Sequence, residues 1–386
     1  MQKTNKSNPN GVRIFDIRYS KKDKEEMQKN IVKIMDEAFL SNHTFCRKIE
    51  KKLQKMHKVH NFLSCSSGTT ALEAIFRFLK ISKKAVLVQS NTFIATGHAI
   101  HAAGGIVVPF DLNGDFTASL NDLKKAYQEC KVGNLRVGAV CVVNIAGRAS
   151  LENFQIREFC DQEKIPLVED NAQGMFSTLS EKYLGTIADY SAYSFHTTKI
   201  VACGEGGAIS FRNKEDLEKL SSFITFGNSL KNNLFYDNFS GNFKLNELSA
   251  AFILMDLKRS KSRIFKRRKI DNIYKNNIKN NSRLSYLSQP KDNNPSFYKT
   301  IFKCDNAETR KEIEQLFLRN NIAMTGYVYK IPLHKQPRIF NSESFINREL
   351  PFTEEFCNTH ITPPNYPELS KNNIDFIIDT LNKIGN

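Results

Sequence analysis

The chain has 386 residues, with 56 Lys and Arg against 40 Asp and Glu, a formal net charge of +16, 40% hydrophobic residues and no Trp. That composition excludes a disordered chain, a collagen-like repeat and a small disulfide scaffold, and the length is ample for a sizeable core. The charge invites a nucleic-acid reading, which only the motifs can decide.

None of the cysteines (Cys46, Cys65, Cys130, Cys141, Cys160, Cys203, Cys304 and Cys357) forms a C-x-x-C pair. The usual zinc and thioredoxin-like spacings are therefore missing, and no metal site is expected. Several lie in apolar runs, such as Cys141 in AVCVVN, and read as buried free thiols suited to a reducing cytoplasm. The first residues, MQKTNKSNPNGVRIFDIRYS, contain no apolar core of a signal peptide. No run of about 18 apolar residues occurs, so no membrane insertion is expected. The expectation is a soluble, cytoplasmic protein.

Residues 1–12 are polar and read as a mobile tail. From Lys22 to about Lys58 the pattern is helical and heavily basic. Short apolar runs then alternate with helical stretches. NFLSCSS (61–67) is a strand leading into a helix from Gly68 to Leu79. AVLVQS (85–90) is a strand leading into a helix from Thr92 to Ala103. Further strands are GIVVPFDL (105–112), VGAVCVVNI (137–145), IPLVED (165–170), YSAYSF (190–195) and GAISF (207–211). These runs are rich in β-branched residues and do not alternate, as in parallel strands covered on both faces. The order predicts an α/β fold, a mostly parallel sheet flanked by helices with right-handed crossovers. After about Leu217 the character changes. Residues 246–279 read as one long or broken helix carrying the basic run KRSKSRIFKRRK (258–269). Residues 284–386 mix short strands with helices at 308–320 and 370–383. The expected organisation is a large α/β domain over 13–245, then a connecting helix and small C-terminal α+β domain over 246–386.

Four short motifs fall at strand ends or helix starts, where open α/β sheets bind ligands. Ser66-Ser67-Gly68-Thr69-Thr70 places free amides and a helix dipole where a phosphate is favoured, although alone it reads as an ordinary N-cap. Asn91-Thr92-Phe93-Ile94-Ala95-Thr96 sets an aromatic where it could stack on a flat ring, or simply pack in a core. Val168-Glu169-Asp170-Asn171-Ala172-Gln173 ends an apolar strand on an acid, which needs a cationic partner or hydrogen bonds; an N-cap Asp is the alternative. Ser194-Phe195-His196-Thr197-Thr198-Lys199, followed by Cys203-Gly204-Glu205-Gly206-Gly207, offers a lysine that is either a nucleophilic amine or a solvated loop residue. Together the four supply a phosphate cradle, a ring stack, a pyridinium partner and a Schiff-base lysine, the parts list of a pyridoxal-phosphate (PLP) enzyme.

In this order the segments resemble the DegT/DnrJ-type sugar aminotransferases, a branch of the fold-type I PLP enzymes, over about residues 13–384. The likeness continues in Asn242-Phe243-Lys244-Leu245-Asn246-Glu247, in Ile331-Pro332-Leu333-His334 and in Pro363-Pro364-Asn365-Tyr366-Pro367. The resemblance implies that Lys199 carries PLP and shuttles a proton, and that the PMP form appears in the half-reaction. Asp170 would face the pyridine nitrogen, Gln173 the ring oxygen and Phe93 the ring face. Gly68, Thr69 and Ser194 would bind the phosphate, joined by Asn242 from the neighbouring subunit of a homodimer. His334 and Tyr329 are expected near the acceptor sugar. The implied reaction moves an amino group from glutamate to a nucleotide-linked keto-6-deoxyhexose, with no nucleic-acid partner. A dehydratase branch has His in the lysine slot; here that slot holds Lys199, which favours transamination. Departures from the family pattern fall at Phe39-Leu40-Ser41-Asn42-His43, Ser240, Lys244 and Asn144, where acceptor or partner subunit would lie.

Overall fold

The computed structural model of the protein describes residues 11–58, 61–231, 234–324, 329–337 and 346–384. The basic region near the start forms two helices, α1 (Lys21–Glu37) and α2 (Thr44–His57), not one continuous run. Ser20 and Asp23 cap α1 reciprocally, and Ala38 ends it in the left-handed conformation. The start of α2 has no local side-chain cap. Its amides are met from far along the chain: the Glu247 carboxylate accepts from His43 N at 2.8 Å, Phe45 N at 2.5 Å and Cys46 N at 3.1 Å. An acid there also suits the positive end of the helix dipole.

Alternating strands and helices follow: β1 (Asn61–Cys65), α3 (Gly68–Phe78), β2 (Ala85–Gln89), α4 (Ile94–Ala102), β3 (Ile106–Phe110), α5 (Leu120–Val132), β4 (Val137–Val143), α6 (Glu152–Glu163) and β5 (Leu167–Asp170). Next come the short β6 (Thr178–Leu179) and β7 (Lys182–Tyr183), then β8 (Tyr190–Ser194), β9 (Gly207–Phe211) and α7 (Asp216–Ile224). The main sheet has seven strands in the order β1-β9-β8-β5-β4-β2-β3. All pairs are parallel except those made by β9, which runs against both neighbours. Both faces are covered, which is why the strands are apolar throughout. Along β2, Val86 and Val88 pack with Leu72 and Ile75 of α3 and Ile100 of α4. Ala85 and Leu87 face the opposite layer, with Leu123 of α5 and Ile156 of α6.

A single helix, α8 (Glu247–Asn277), spans the region expected to be one long or broken helix. Its first half packs with α1 and α2, and its far end joins a separate apolar cluster. That cluster also takes residues from β10 (Leu284–Tyr286), β12 (Phe302–Cys304), α9 (Ala307–Arg319), β13 (His360–Ile361) and α11 (Lys371–Leu381). Two lesser elements, β11 (Asn293–Asn294), paired with β6, and α10 (Pro351–Thr359), complete the set.

The tail expectation needs a correction at its end, while residues 1–10 lie outside the described residues. Val12 is 2% exposed and bridges Ile322; its amide donates to Asn321 O at 3.0 Å and its carbonyl accepts from Ala323 N at 2.9 Å. The basic run on α8 is partly neutralised internally. Lys258 meets Glu26 at 2.5 Å, Arg259 meets Asp23 at 3.3 Å and Arg263 meets Asp256 at 2.8 Å. No described helix is long and apolar enough to cross a membrane.

Leu87 is fully buried near the sheet centre. Leu87→Ala should cost about 2–5 kcal/mol, the range for a buried leucine truncation. Urea denaturation of wild type and variant checks this; a midpoint within error of wild type would show that the two-layer packing is misassigned.

Candidate active site

The carboxyl ends of β5 and β8 and the amino ends of α3 and α4 converge on a cavity of about 400 Å³. Each segment delivers its side chain for a local reason. Ser67 caps α3 by accepting from Thr70 N at 3.1 Å, while the Thr70 hydroxyl accepts from Ser67 N at 3.0 Å. The Gly68 and Thr69 amides at the first turn are thereby left without intrahelical acceptors and face the cavity. Ser194, at the end of β8, lines the same wall.

This wall depends on two close approaches. A Cβ on Gly68 would lie 3.0 Å from Ser194 Cβ, and one on Gly207 would lie 2.3 Å from the Ser67 carbonyl. Glycine at both positions lets β8 and β9 press against the α3 turn. Three amide or hydroxyl donors at a helix N-terminus make a suitable phosphate cradle.

Asp170 ends β5 and is 6% exposed. Its Oδ2 accepts from Thr96 Oγ1 at 2.8 Å and its Oδ1 from Ala172 N at 3.1 Å. Burial pushes this carboxyl up; the two hydrogen bonds and the Lys199 ammonium pull it back without cancelling the rise. Gln173 is fixed from both ends: Ala146 N donates to its Oε1 at 2.8 Å, and its Nε2 donates to the Tyr329 hydroxyl at 2.6 Å. Tyr329 also lies 5.6 Å from the Phe93 ring, and Phe93 is left 54% exposed. An aromatic face is therefore open beside the cavity.

Lys199 sits on the turn after β8, half-buried, with its amide donating to His196 O at 2.8 Å. Its ammonium lies 5.2 Å from the centre of the Tyr298 ring. Lys299 lies 5.3 Å from the same ring centre. Burial pushes the Tyr298 phenol up, but Lys199 and Lys299, helped by Thr198 and Arg267, outweigh it and bring it to about 8.

The cavity thus brings together Gly68, Thr69, Phe93, Asp170, Gln173, Ser194, Lys199 and Tyr329. Two predicted residues stand outside it. Asn242 is exposed on the segment whose Phe243 carbonyl accepts from Ser66 N at 2.7 Å. His334 is fully buried, with Nδ1 2.7 Å from Ser90 Oγ and Nε2 3.1 Å from Glu354. Burial pushes its imidazole down, partly offset by Glu354. This is a packing position, enclosed between β2 and α10, and not a wall of the cavity. Sequence reasoning missed Thr96 and Tyr298. Thr96 stood in the second motif and needed only helical spacing to be placed; Tyr298 carried no motif signal.

The side chains fit PLP. Asp170 is buried, lines a cavity, and forms no ion pair among the described residues. A pyridinium N–H is the complement such a carboxylate lacks. The phosphate cradle, open aromatic face and amine lie around the same space. Residues 21–382 match the family model of the DegT/DnrJ/EryC1/StrS aminotransferase family. The chain belongs to that family. It is a PLP-dependent aminotransferase.

Among curated relatives, GDP-perosamine synthase of Escherichia coli O157:H7 is 26% identical over 352 residues, covering 90% of this chain and 93% of that protein. A dTDP-3-amino-3,6-dideoxy-alpha-D-galactopyranose transaminase of Aneurinibacillus thermoaerophilus is 26% identical and covers 97% of this aminotransferase and 98% of its own length. A DegT DnrJ EryC1 StrS aminotransferase from Brucella abortus superposes with a TM-score of 0.85 at 25% identity, over 95% and 97% of the two chains. The fold is also that of S. venezuelae DesV, with a TM-score of 0.87 at 22% identity over 97% and 98%.

Gly207→Ala should displace the α3 turn and weaken PLP retention by roughly tenfold, equivalent to about 1.4 kcal/mol. Absorbance titration of apoprotein with PLP measures it. Wild-type affinity in the variant would show that the β9 contact does not shape the cradle.

Proposed function

We propose that the aminotransferase transfers an amino group from glutamate to C3 or C4 of a nucleotide-linked keto-6-deoxyhexose, making an amino sugar for a surface polysaccharide or glycan. The observation that carries this reading is the pairing of an amine, Lys199, with a buried carboxylate, Asp170, on one cavity. A histidine in the lysine slot would instead suit the dehydratase chemistry. Relatives named for GDP-, UDP- and dTDP-linked sugars support the acceptor class.

When bound, PLP supplies an electron sink that lets an amino acid give up its Cα proton. The chain supplies the rest. Lys199 Nζ would take that proton. Asp170, oriented by Thr96 and Ala172, favours a protonated nitrogen at the ring position. Phe93 would cover one face of the ring, Gln173 would meet the ring oxygen, and Gly68, Thr69 and Ser194 would hold the phosphate. Tyr329 and Phe93 form the side on which a sugar would enter.

The working unit in this reading is a homodimer. Leu230, Leu234, Phe235, Tyr236 and Phe239 are all exposed, Phe239 by 93%, on the stretch leading to Asn242. Such a concentration of apolar surface marks an interaction site. A second copy covering it would bring Asn242 toward the neighbouring phosphate cradle. The free cysteines, seven of them buried, suit a cytoplasmic location.

Incubation with PLP, glutamate and a panel of UDP-, dTDP- and GDP-linked ketosugars should give an amino sugar in one arm, read by mass and NMR. Lys199→Ala should abolish glutamate-dependent turnover; turnover near wild type would refute the mechanism. For the assembly, Phe235→Glu with Phe239→Glu should shift sedimentation from dimer to monomer. A variant that still sediments as a dimer would place the interface elsewhere.

A further inference from the structure

Beside the cofactor cavity lies an outer chamber of about 340 Å³. The two share Phe93, Gln173, Thr198, Tyr298 and Tyr329. Among the described residues, three cationic side chains line the outer chamber, Arg267, Lys299 and Lys330, and no carboxylate does. Two of the three are engaged. Arg267 is 4% exposed and donates to the carbonyls of Tyr298 and Asn365. Lys330 is held by Glu314 at 3.1 Å. The Lys299 ammonium makes no hydrogen bond or ion pair among the described residues, and its contact is with the Tyr298 ring.

Lys299 is also well anchored through its neighbours. The Tyr298 carbonyl is tied to Arg267. The Thr300 hydroxyl donates to Asp271 Oδ1 at 2.7 Å and accepts from Asn365 Nδ2 at 2.9 Å. The backbone on both sides is therefore fixed, and the side chain reaches the chamber from a rigid base. A half-buried ammonium with cations around it and no acid is an expensive arrangement that an incoming anion relieves. Lys199 lines the inner cavity and Lys299 the outer chamber, and their ammoniums stand 5.2 Å and 5.3 Å from the centre of the Tyr298 ring that the two spaces share.

We propose that Lys299 is the anion anchor of the outer chamber, gripping a substrate oxyanion while the carbon to be aminated or deaminated faces Lys199. The oxyanion is a carboxylate of the amino donor or a phosphate of the sugar nucleotide. The assignment rests on the transamination reading for the role of Lys199, but the anchor can be tested by binding alone.

The test compares PLP-loaded wild type with Lys299→Met and Lys299→Arg. Calorimetry with glutarate and with UDP, dTDP and GDP reads binding without turnover. Lys299→Met should weaken one class of probe by at least roughly tenfold, about 1.4 kcal/mol, and Lys299→Arg should recover much of the loss. Single-turnover mixing of the two half-reactions then assigns the source. A raised dissociation constant for glutamate, with an unchanged limiting rate, identifies the donor carboxylate. The same change for the ketosugar nucleotide identifies the phosphate. As a positional readout on the apoprotein, where the Lys199 ammonium is free, Lys299→Met should move the Tyr298 titration upward, measured as the ultraviolet difference from Tyr298→Phe. Unchanged binding of both probe classes overturns the proposal. Wild type that binds probes through Lys299 but shows no half-reaction refutes transamination instead.

Discussion

Two consecutive carboxylates on β5 set the terms for the site. Glu169 and Asp170 point to opposite faces, as successive strand residues must. Glu169 is fully buried and accepts from five groups: Asn144 Nδ2, the amides of Gly185, Ile187 and Ala188, and the Ser191 hydroxyl. That carboxylate is an internal staple, holding the loop before β8. Among the described residues Asp170 accepts from two groups, and it opens onto a cavity. The difference in satisfaction separates a structural acid from one that awaits a cationic partner. Because Glu169 fixes the loop leading into β8, it also fixes where Ser194 and Lys199 stand relative to Asp170.

Much of this was legible in the sequence because it is local. The seven strands of the main sheet were readable, since burial on both faces leaves unbroken apolar runs. Seven of the predicted cofactor-site residues line one cavity because each sits at the end of such a run. What could not be read depends on partners distant in sequence. The reversal of β9 is a matter of pairing, not composition. The break between α1 and α2 is stabilised by Glu247, whose carboxylate caps α2 from the start of α8. Tyr298 and Lys299 carry no motif, and only folding brings them beside Lys199. His334 shows the opposite case: a recognisable motif residue that the fold sets in a network with Ser90 and Glu354, away from the cavity lining.

The net charge also takes on a more specific meaning. Part of the basic run on α8 is spent on internal acids and carbonyls, including Arg263 on Asp256 and Arg267 on backbone oxygens. Charge that is consumed in packing does not advertise a polyanionic partner. The proposed anion anchor rests instead on a small imbalance at the outer chamber, whose described lining residues include three cations and no carboxylate. A field of one sign inside a walled space draws an anionic substrate more effectively than the same charges spread over a surface.

The outer chamber also joins opposite ends of the chain. Ile14 and Phe15 form part of its wall together with Asn365 and Tyr366. Val12, next to the first pair, is pinned to the strand-like segment at Ile322. Contacts between such remote segments close the largest loops and carry the greatest entropic cost. In the proposed reading, the cofactor cradle is assembled from the central sheet, whereas the outer chamber is a seam. Local opening at that seam would release substrate recognition while leaving the strand-end residues in register, so the two functions of the site can differ in their resistance to unfolding.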